Sequence, residues 1–124
     1  MYKIAVAGTG YVGLVAGVCF AEMGHQVTCV DIDEEKVNIM RQGISPIYED
    51  GLEELMQKNY AACRIDYTTD YKSAYRDADA IFLGVGTPEQ PDGSADLSYI
   101  ATVARQIAES IEKDCLVVVK STVP

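Results

Sequence analysis

Basic residues are scarce in this chain. Ten Lys and Arg stand against nineteen Asp and Glu, giving a formal net charge of −9 and a pI near 4.4. Nucleic-acid affinity is dominated by phosphates and needs basic patches, so this balance predicts no nucleic-acid partner. Anionic membrane surfaces are disfavoured for the same reason. No apolar stretch reaches the roughly 18–20 residues of a membrane-spanning helix, and the chain enters an apolar run within its first residues, so neither a membrane anchor nor a leader segment is expected. The four cysteines, Cys19, Cys29, Cys63 and Cys115, stand singly with no C-x-x-C spacing, which predicts no metal site or redox pair. Cys19, Cys29 and Cys115 fall in or beside apolar runs and read as small buried hydrophobes in a reducing cytoplasm. The single histidine, His25, follows a helix-ending glycine, and no nucleophile or acid pattern surrounds it. A helix-terminus role therefore outweighs a catalytic one. No repeat, low-complexity stretch or Pro/Gly/Ser-rich linker divides the 124 residues, and 48% hydrophobic composition suffices for the core of one domain over residues 1–124.

What the chain does have is order in its first thirty-one residues. Tyr2–Ala7 is a short apolar run of the kind that forms a buried parallel strand. Gly8-Thr9-Gly10-Tyr11-Val12-Gly13 then fits G-x-G-x-x-G in full. Val12–Met23 is apolar almost all round, as a helix lying on a sheet is, and Gly24 is placed to end it. Gln26–Val30 is a second buried strand, stopping at Asp31.

Each part has a physical task in holding NAD. Gly8 allows the tight turn, Gly10 lets main chain approach a pyrophosphate with no Cβ between, and Gly13 lets helix and strand pack closely. Unpaired N–H groups of the first helical turn face the phosphates. Asp31, eighteen residues beyond Gly13, stands at the end of the neighbouring strand, where its carboxylate can accept from both adenosine ribose hydroxyls. A 2′-phosphate would meet its negative charge, so NAD is expected over NADP.

Downstream, Asp33-Glu34-Glu35 open a helix carrying Val37, Met40 and Ile44 and ending near Gly43. Ser45–Tyr48 is a loop, and Asp50 with Glu53 resembles a capping box opening a helix with Leu52, Leu55 and Met56 on one face. Arg64–Thr68 alternates like an edge strand, and Asp70 caps a brief helix through Tyr75. Ala80–Val85 is a buried strand running into Gly86-Thr87-Pro88, and Glu89–Ala95 is a loop by composition. Asp96 caps a helix whose stripe is Leu97, Ile100, Ala101, Ala104, Ile107, Ala108 and Ile111. Cys115–Val119 is a fifth strand, followed by Lys120-Ser121-Thr122-Val123-Pro124.

Strands alternating with helices predict an α/β fold of the Rossmann type, a doubly wound parallel sheet in the order 3-2-1-4-5. The crevice between the first and fourth strands should then gather Gly8–Gly13, Gly84–Pro88 and Ser121–Thr122 from three strand ends. Taken singly, the last two groups are as readily a strand-ending turn and a helix cap.

Five motifs in this order resemble the amino-terminal domain of the UDP-glucose/GDP-mannose dehydrogenases. They are Gly8–Leu14, Asp31-Ile32-Asp33 with Lys36, Gly43–Glu49, Gly84–Pro88 and Lys120–Pro124. The likeness runs the length of the chain and leans, through Lys120–Pro124, toward the branch that oxidises UDP-glucose. Asp50 departs from it, where many relatives have proline. The resemblance implies an oxidation of a sugar-nucleotide primary alcohol to a carboxylate with two NAD, through an aldehyde and a cysteine thioester. It implies that Gly8, Thr9, Gly10, Tyr11, Val12 and Gly13 hold the pyrophosphate, and that Asp31 and Lys36 hold the adenosine ribose. Gly86, Thr87, Ser121 and Thr122 take the nicotinamide-side ribose and phosphate. The catalytic residues of such enzymes lie beyond Pro124, so the chain is expected to be a fragment of a longer, cytoplasmic, homo-oligomeric enzyme, truncated before the substrate domain. It holds no catalytic residue, and the sugar nucleotide is bound mainly elsewhere. The rivals are a GDP-mannose or UDP-N-acetylmannosamine relative, a hydroxyacid dehydrogenase of the same cofactor fold, and a non-catalytic nucleotide-sensing module.

Overall fold

A computed structural model describes residues 1–84, 91 and 98–119, apart from the side chain of Tyr99. Five strands form one sheet in the order β3-β2-β1-β4-β5, every pairing parallel. In chain order the elements are β1 (Lys3–Ala7), α1 (Tyr11–Glu22), β2 (Gln26–Val30), α2 (Glu34–Arg41), α3 (Leu52–Ala61), β3 (Ile65–Thr68), α4 (Tyr71–Arg76), β4 (Ala80–Leu83), α5 (Ser98–Ser110) and β5 (Leu116–Val119). The order expected from the alternation of strands and helices is the one observed.

Strand side chains alternate between two faces, and each face has its own core. Ile4, Val6, Val27, Cys29, Ile65 and Tyr67 point to α1, α2 and α3, meeting Leu14, Val18, Val37, Met40, Leu52 and Met56. Ala5, Ala7, Val30, Ile81 and Leu83 point the other way, to Tyr75 on α4 and to Val103 and Ile107 on α5. The central strands are thus covered on both sides, which is why they read as continuous apolar runs, while among the described residues every position of β5 is exposed.

Local chemistry sets the ends of the elements. After α1, Gly24 takes φ +98, its N–H donates to Ala21 O at 3.0 Å, and the N–H of His25 donates to Phe20 O at 3.2 Å. That pair of bonds is a Schellman motif. The His25 ring does a second job, accepting from Tyr2 N at 3.1 Å through Nδ1 and tying the start of the chain to the start of β2. Asp33 and Asp70 cap α2 and α4 through Lys36 N and Ser73 N, as their spacing predicts.

Four expectations are corrected. No Asp50–Glu53 capping box forms: the N-cap of α3 is Gly51 in the left-handed region with no side-chain cap. Glu53 instead accepts from Ser45 N at 2.9 Å, and Asp50 accepts from the Tyr48 hydroxyl at 3.1 Å. Of the three cysteines expected inside, only Cys29 is buried; Cys19 is exposed and Cys115 intermediate, because α1 buries one stripe against the sheet and leaves the rest outside. Ile44 is exposed rather than part of the α2 stripe, since the chain turns at Gly43. On α5, Ala101, Ala104 and Ala108 face outward, and the buried residues are Val103, Ile107 and Ser110. Val103 carries more apolar area than an alanine, and its burial sets the helix rotation.

Asp96, Gly86, Thr87, Pro88, Lys120, Ser121 and Thr122 lie outside the described residues.

Candidate functional site

The glycine loop leaves β1 at its carboxyl end and enters α1 within three residues. Gly8 takes φ +92, a region that L side chains rarely adopt, while its N–H donates to Val30 O at 2.9 Å. A Cβ on Gly13 would lie 2.1 Å from the Gly8 carbonyl oxygen. Gly84, at the end of β4, approaches equally closely: a Cβ there would lie 2.5 Å from Gly13 Cα. Gly17, one turn further along α1, lies over β2, and its Cβ would stand 2.9 Å from Cys29 Sγ. Gly13 and Gly84 therefore let α1, the turn after β1 and the end of β4 touch backbone to backbone, while Gly17 lets α1 rest on side chains of β1 and β2.

Gly10 is different. It is the N-cap of α1 and offers no side-chain cap, no acid follows in the first turn, and no described atom lies within 4 Å of a Cβ built on it. The space beside it is open, at the positive end of a helix whose first N–H groups have no partner within the helix.

Asp31 borders this hollow. It is only 8% exposed, and Thr9 of the loop only 1%. One carboxylate oxygen, Oδ2, accepts from the Thr9 hydroxyl and from Thr9 N, the latter at 3.3 Å. The other, Oδ1, accepts from Asp33 N at 3.0 Å. Lys36, one turn into α2, brings its ammonium 3.4 Å from Oδ2. Burial pushes the Asp31 pKa up, but the Thr9 and Asp33 hydrogen bonds and the Lys36 charge outweigh it, and the carboxyl is held below its ordinary value. Asp31 is therefore a carboxylate at neutral pH. With one donor on Oδ1, it keeps a free lone pair there.

Tyr11, the first residue of α1, is exposed, and the negative charge of Glu49, in the loop after α2, lies close enough to raise its phenol pKa. The Gly43–Glu49 motif thus stands beside the glycine loop. A cleft of about 20 Å³ lies next to Asp31, lined by Gly8, Ile32, Tyr75, Thr102 and Gln106 among others. Motif reading misses Tyr75, Thr102 and Gln106, because α4 and α5 bring them there from more than forty positions along the chain. Exposed Ile32, directly after the acid, carried the one local signal.

Gly8–Gly13, Asp31, Lys36 and Gly84 are thus brought together at the carboxyl ends of β1, β2 and β4. Gly86, Thr87, Ser121 and Thr122, the remaining expected contacts, lie outside the described residues. Among the described residues no group of three His, Cys, Asp or Glu is placed to hold a metal ion. No helix among them is long and apolar enough to cross a membrane. An open surface at a helix N-terminus with no side-chain cap, with an ionised acid bonded to the preceding residue Thr9, fits a dinucleotide: the helix end suits a diphosphate and the acid a ribose diol.

Comparison with known proteins agrees. Residues 2–124 match the model of the UDP-glucose/GDP-mannose dehydrogenase family, NAD binding domain. A UDP-glucose 6-dehydrogenase of Bacillus subtilis (strain 168) is 54% identical over 122 residues, covering 98% of this chain and 28% of that protein. The structure of a UDP-glucose dehydrogenase from Pyrobaculum islandicum superposes with a TM-score of 0.95 at 42% identity, covering 100% of this chain and 29% of that one. A GDP-mannose dehydrogenase from Pseudomonas aeruginosa gives a TM-score of 0.93 at 44% identity, covering 98% and 28%. The chain spans less than a third of the length of these relatives. It belongs to the UDP-glucose/GDP-mannose dehydrogenase family, and the part of that family it represents is the NAD-binding domain.

Proposed function

We propose that this chain is the cofactor-holding part of a longer dehydrogenase that oxidises UDP-glucose to UDP-glucuronate with two NAD. The observation that carries this reading is the ionised Asp31 carboxylate at the rim of the open Gly10 hollow, in a chain 54% identical to a UDP-glucose 6-dehydrogenase. Bound there, NAD supplies the acceptor for the two electrons and hydrogen removed from an alcohol carbon. The residues of this chain bind and orient. Gly8 N and Thr9 N are held by Val30 O and Asp31 Oδ2, so the amides of Gly10 and of the first turn of α1 donate to the pyrophosphate, and Asp31 Oδ1 holds the adenosine ribose, with the Lys36 ammonium on the other carboxylate oxygen. Gly86, Thr87, Ser121 and Thr122 are assigned to the nicotinamide side. No residue of this chain is assigned to the chemistry, and the sugar nucleotide is bound chiefly by other parts of a protein that we take to be a cytoplasmic homo-oligomer.

The test is calorimetric titration of the intact protein with NAD and NADP, together with NADH release from candidate sugar nucleotides. Tight NAD, weak NADP and two NADH per UDP-glucose are expected. The GDP-mannose relative is as similar in structure as the UDP-glucose one, so GDP-mannose is the control substrate. Turnover of GDP-mannose alone would overturn the substrate assignment and leave the cofactor site standing.

A further inference from the structure

We propose that Thr9 is a positioning residue: buried beneath the glycine loop, its side chain clamps Asp31 against the loop and so sets where the adenosine ribose is read relative to the pyrophosphate. The inference rests on the assignment of Asp31 to the ribose. Within G-x-G-x-x-G the second position carries no fixed residue, and a loop residue is commonly solvated. Here it is 1% exposed. Its hydroxyl and its N–H both donate to one oxygen of Asp31, twenty-two positions away in the chain.

The consequence is geometric. Asp31 Oδ2 is occupied by Thr9 and approached by Lys36. Oδ1, held by the single bond from Asp33 N, is the oxygen with a lone pair to offer a ribose hydroxyl. Thr9 precedes Gly10 directly, so the residue that fixes the carboxylate is bonded to the residue whose open face receives the diphosphate. One clamp sets the spacing between the two halves of the cofactor site. A hydrogen bond to an ionised, poorly solvated acceptor is among the stronger ones a side chain makes. Without it Asp31 keeps only the longer bond from the residue-9 N–H, the Asp33 bond and Lys36, and with that looser hold both its grip on a diol and its repulsion of a 2′-phosphate weaken.

The test is a double-mutant cycle on the intact protein, with NAD and NADP affinities measured by calorimetry. Thr9→Val keeps the shape and removes the donor, and it should raise the Kd for NAD about tenfold. It should narrow the preference for NAD over NADP, which a general loosening of the loop would not, because that weakens both alike. Thr9→Ser restores the hydroxyl and should return NAD affinity to within about twofold of wild type. On an Asp31→Ala background, Thr9→Val should change the Kd by less than about twofold, since the group it acts through is gone. Additive effects in the cycle, or an unchanged preference between the two cofactors, would overturn the clamp while leaving Asp31 as the ribose ligand. Should Asp31→Ala itself bind NAD like wild type, the ribose assignment fails, and the clamp with it. If Thr9→Val does not fold, Thr9→Ala removes the same donor and completes the cycle.

Discussion

Gly10→Ala should leave the stability of the protein nearly unchanged and make it much worse at binding NAD. Gly10 has φ −72 and ψ −171, extended backbone that alanine adopts freely. No described atom lies within 4 Å of the added methyl. The folded state therefore accepts it without a clash, and the freedom lost by the unfolded chain, about 0.4–1 kcal/mol, is offset by the poorer fit of alanine at the N-cap of α1. The same methyl stands in the hollow through which the pyrophosphate reaches the amides. Displacing a phosphate oxygen by the radius of a methyl group removes one or two hydrogen bonds to a charged group, each worth about 1.5–3 kcal/mol. A loss near 3 kcal/mol is roughly a hundredfold in Kd. Thermal unfolding without cofactor and calorimetric titration with NAD measure the two effects separately. NAD affinity within about threefold of wild type would mean that the pyrophosphate does not pass Gly10. A loss of stability above about 2 kcal/mol would mean that the loop is tighter there than the geometry allows.

Gly84→Ala should do the reverse of Gly10→Ala in the folded state: its Cβ would lie 2.5 Å from Gly13 Cα and 2.8 Å from Gly13 N. Because β4 is bonded to β1 at that level through Gly84 N and Ala7 O, 3.0 Å apart, the strand cannot slide away. A loss of about 1–3 kcal/mol should appear in the urea midpoint, and an unmoved midpoint would refute the close approach. The folded pKa of Asp31 is lowered, so its contribution to stability is present above its unfolded-state pKa and is lost as pH falls through the folded one. Asp31→Asn should therefore flatten the acid limb of the stability profile, with the two proteins converging at low pH; parallel limbs would show that the carboxylate is not held as described. Burial raises the Cys29 thiol to about 12, so iodoacetamide at neutral pH should modify exposed Cys19 and Cys63 and spare Cys29 until the protein is denatured. Early labelling of Cys29, read by mass spectrometry, would contradict its place under α1.

The existence, order and type of the elements were legible in the sequence, because each was signalled by neighbours within a few positions. Apolar runs four to six long marked the strands, Asp33 and Asp70 marked helix starts, and Gly24 marked a helix end. The parallel order followed from connection rules that hold for any chain of alternating strands and helices. The Gly-rich loop and Asp31 were legible as well, since their spacing of one strand–helix–strand unit is itself a local pattern. What local pattern leaves open is the choice among competing partners. Glu53 had Asp50's backbone within reach by spacing, yet bonds Ser45 N, because the chain folds back after Gly43. On α5 the expected stripe contained Ile100 and Ile107, which do pack beside Tyr75, but it took in Ala101, Ala104 and Ala108 and passed over Val103, whose larger side chain turns the helix so that those alanines face outward.

The sequence alone determined the fold class, the strand order and the meeting of the glycine loop with Asp31 at neighbouring strand ends, because those depend on periodicity, turn chemistry and the spacing of a single unit. Only the tertiary structure decided that Thr9 lies buried on Asp31 rather than open to solvent, that Gly84 touches Gly13, and that Tyr75, Thr102 and Gln106 form the wall beside the acid. Each of those is a contact between elements far apart in the chain, and a contact of that kind is set by how two faces pack, which no stretch of one strand or one helix carries by itself.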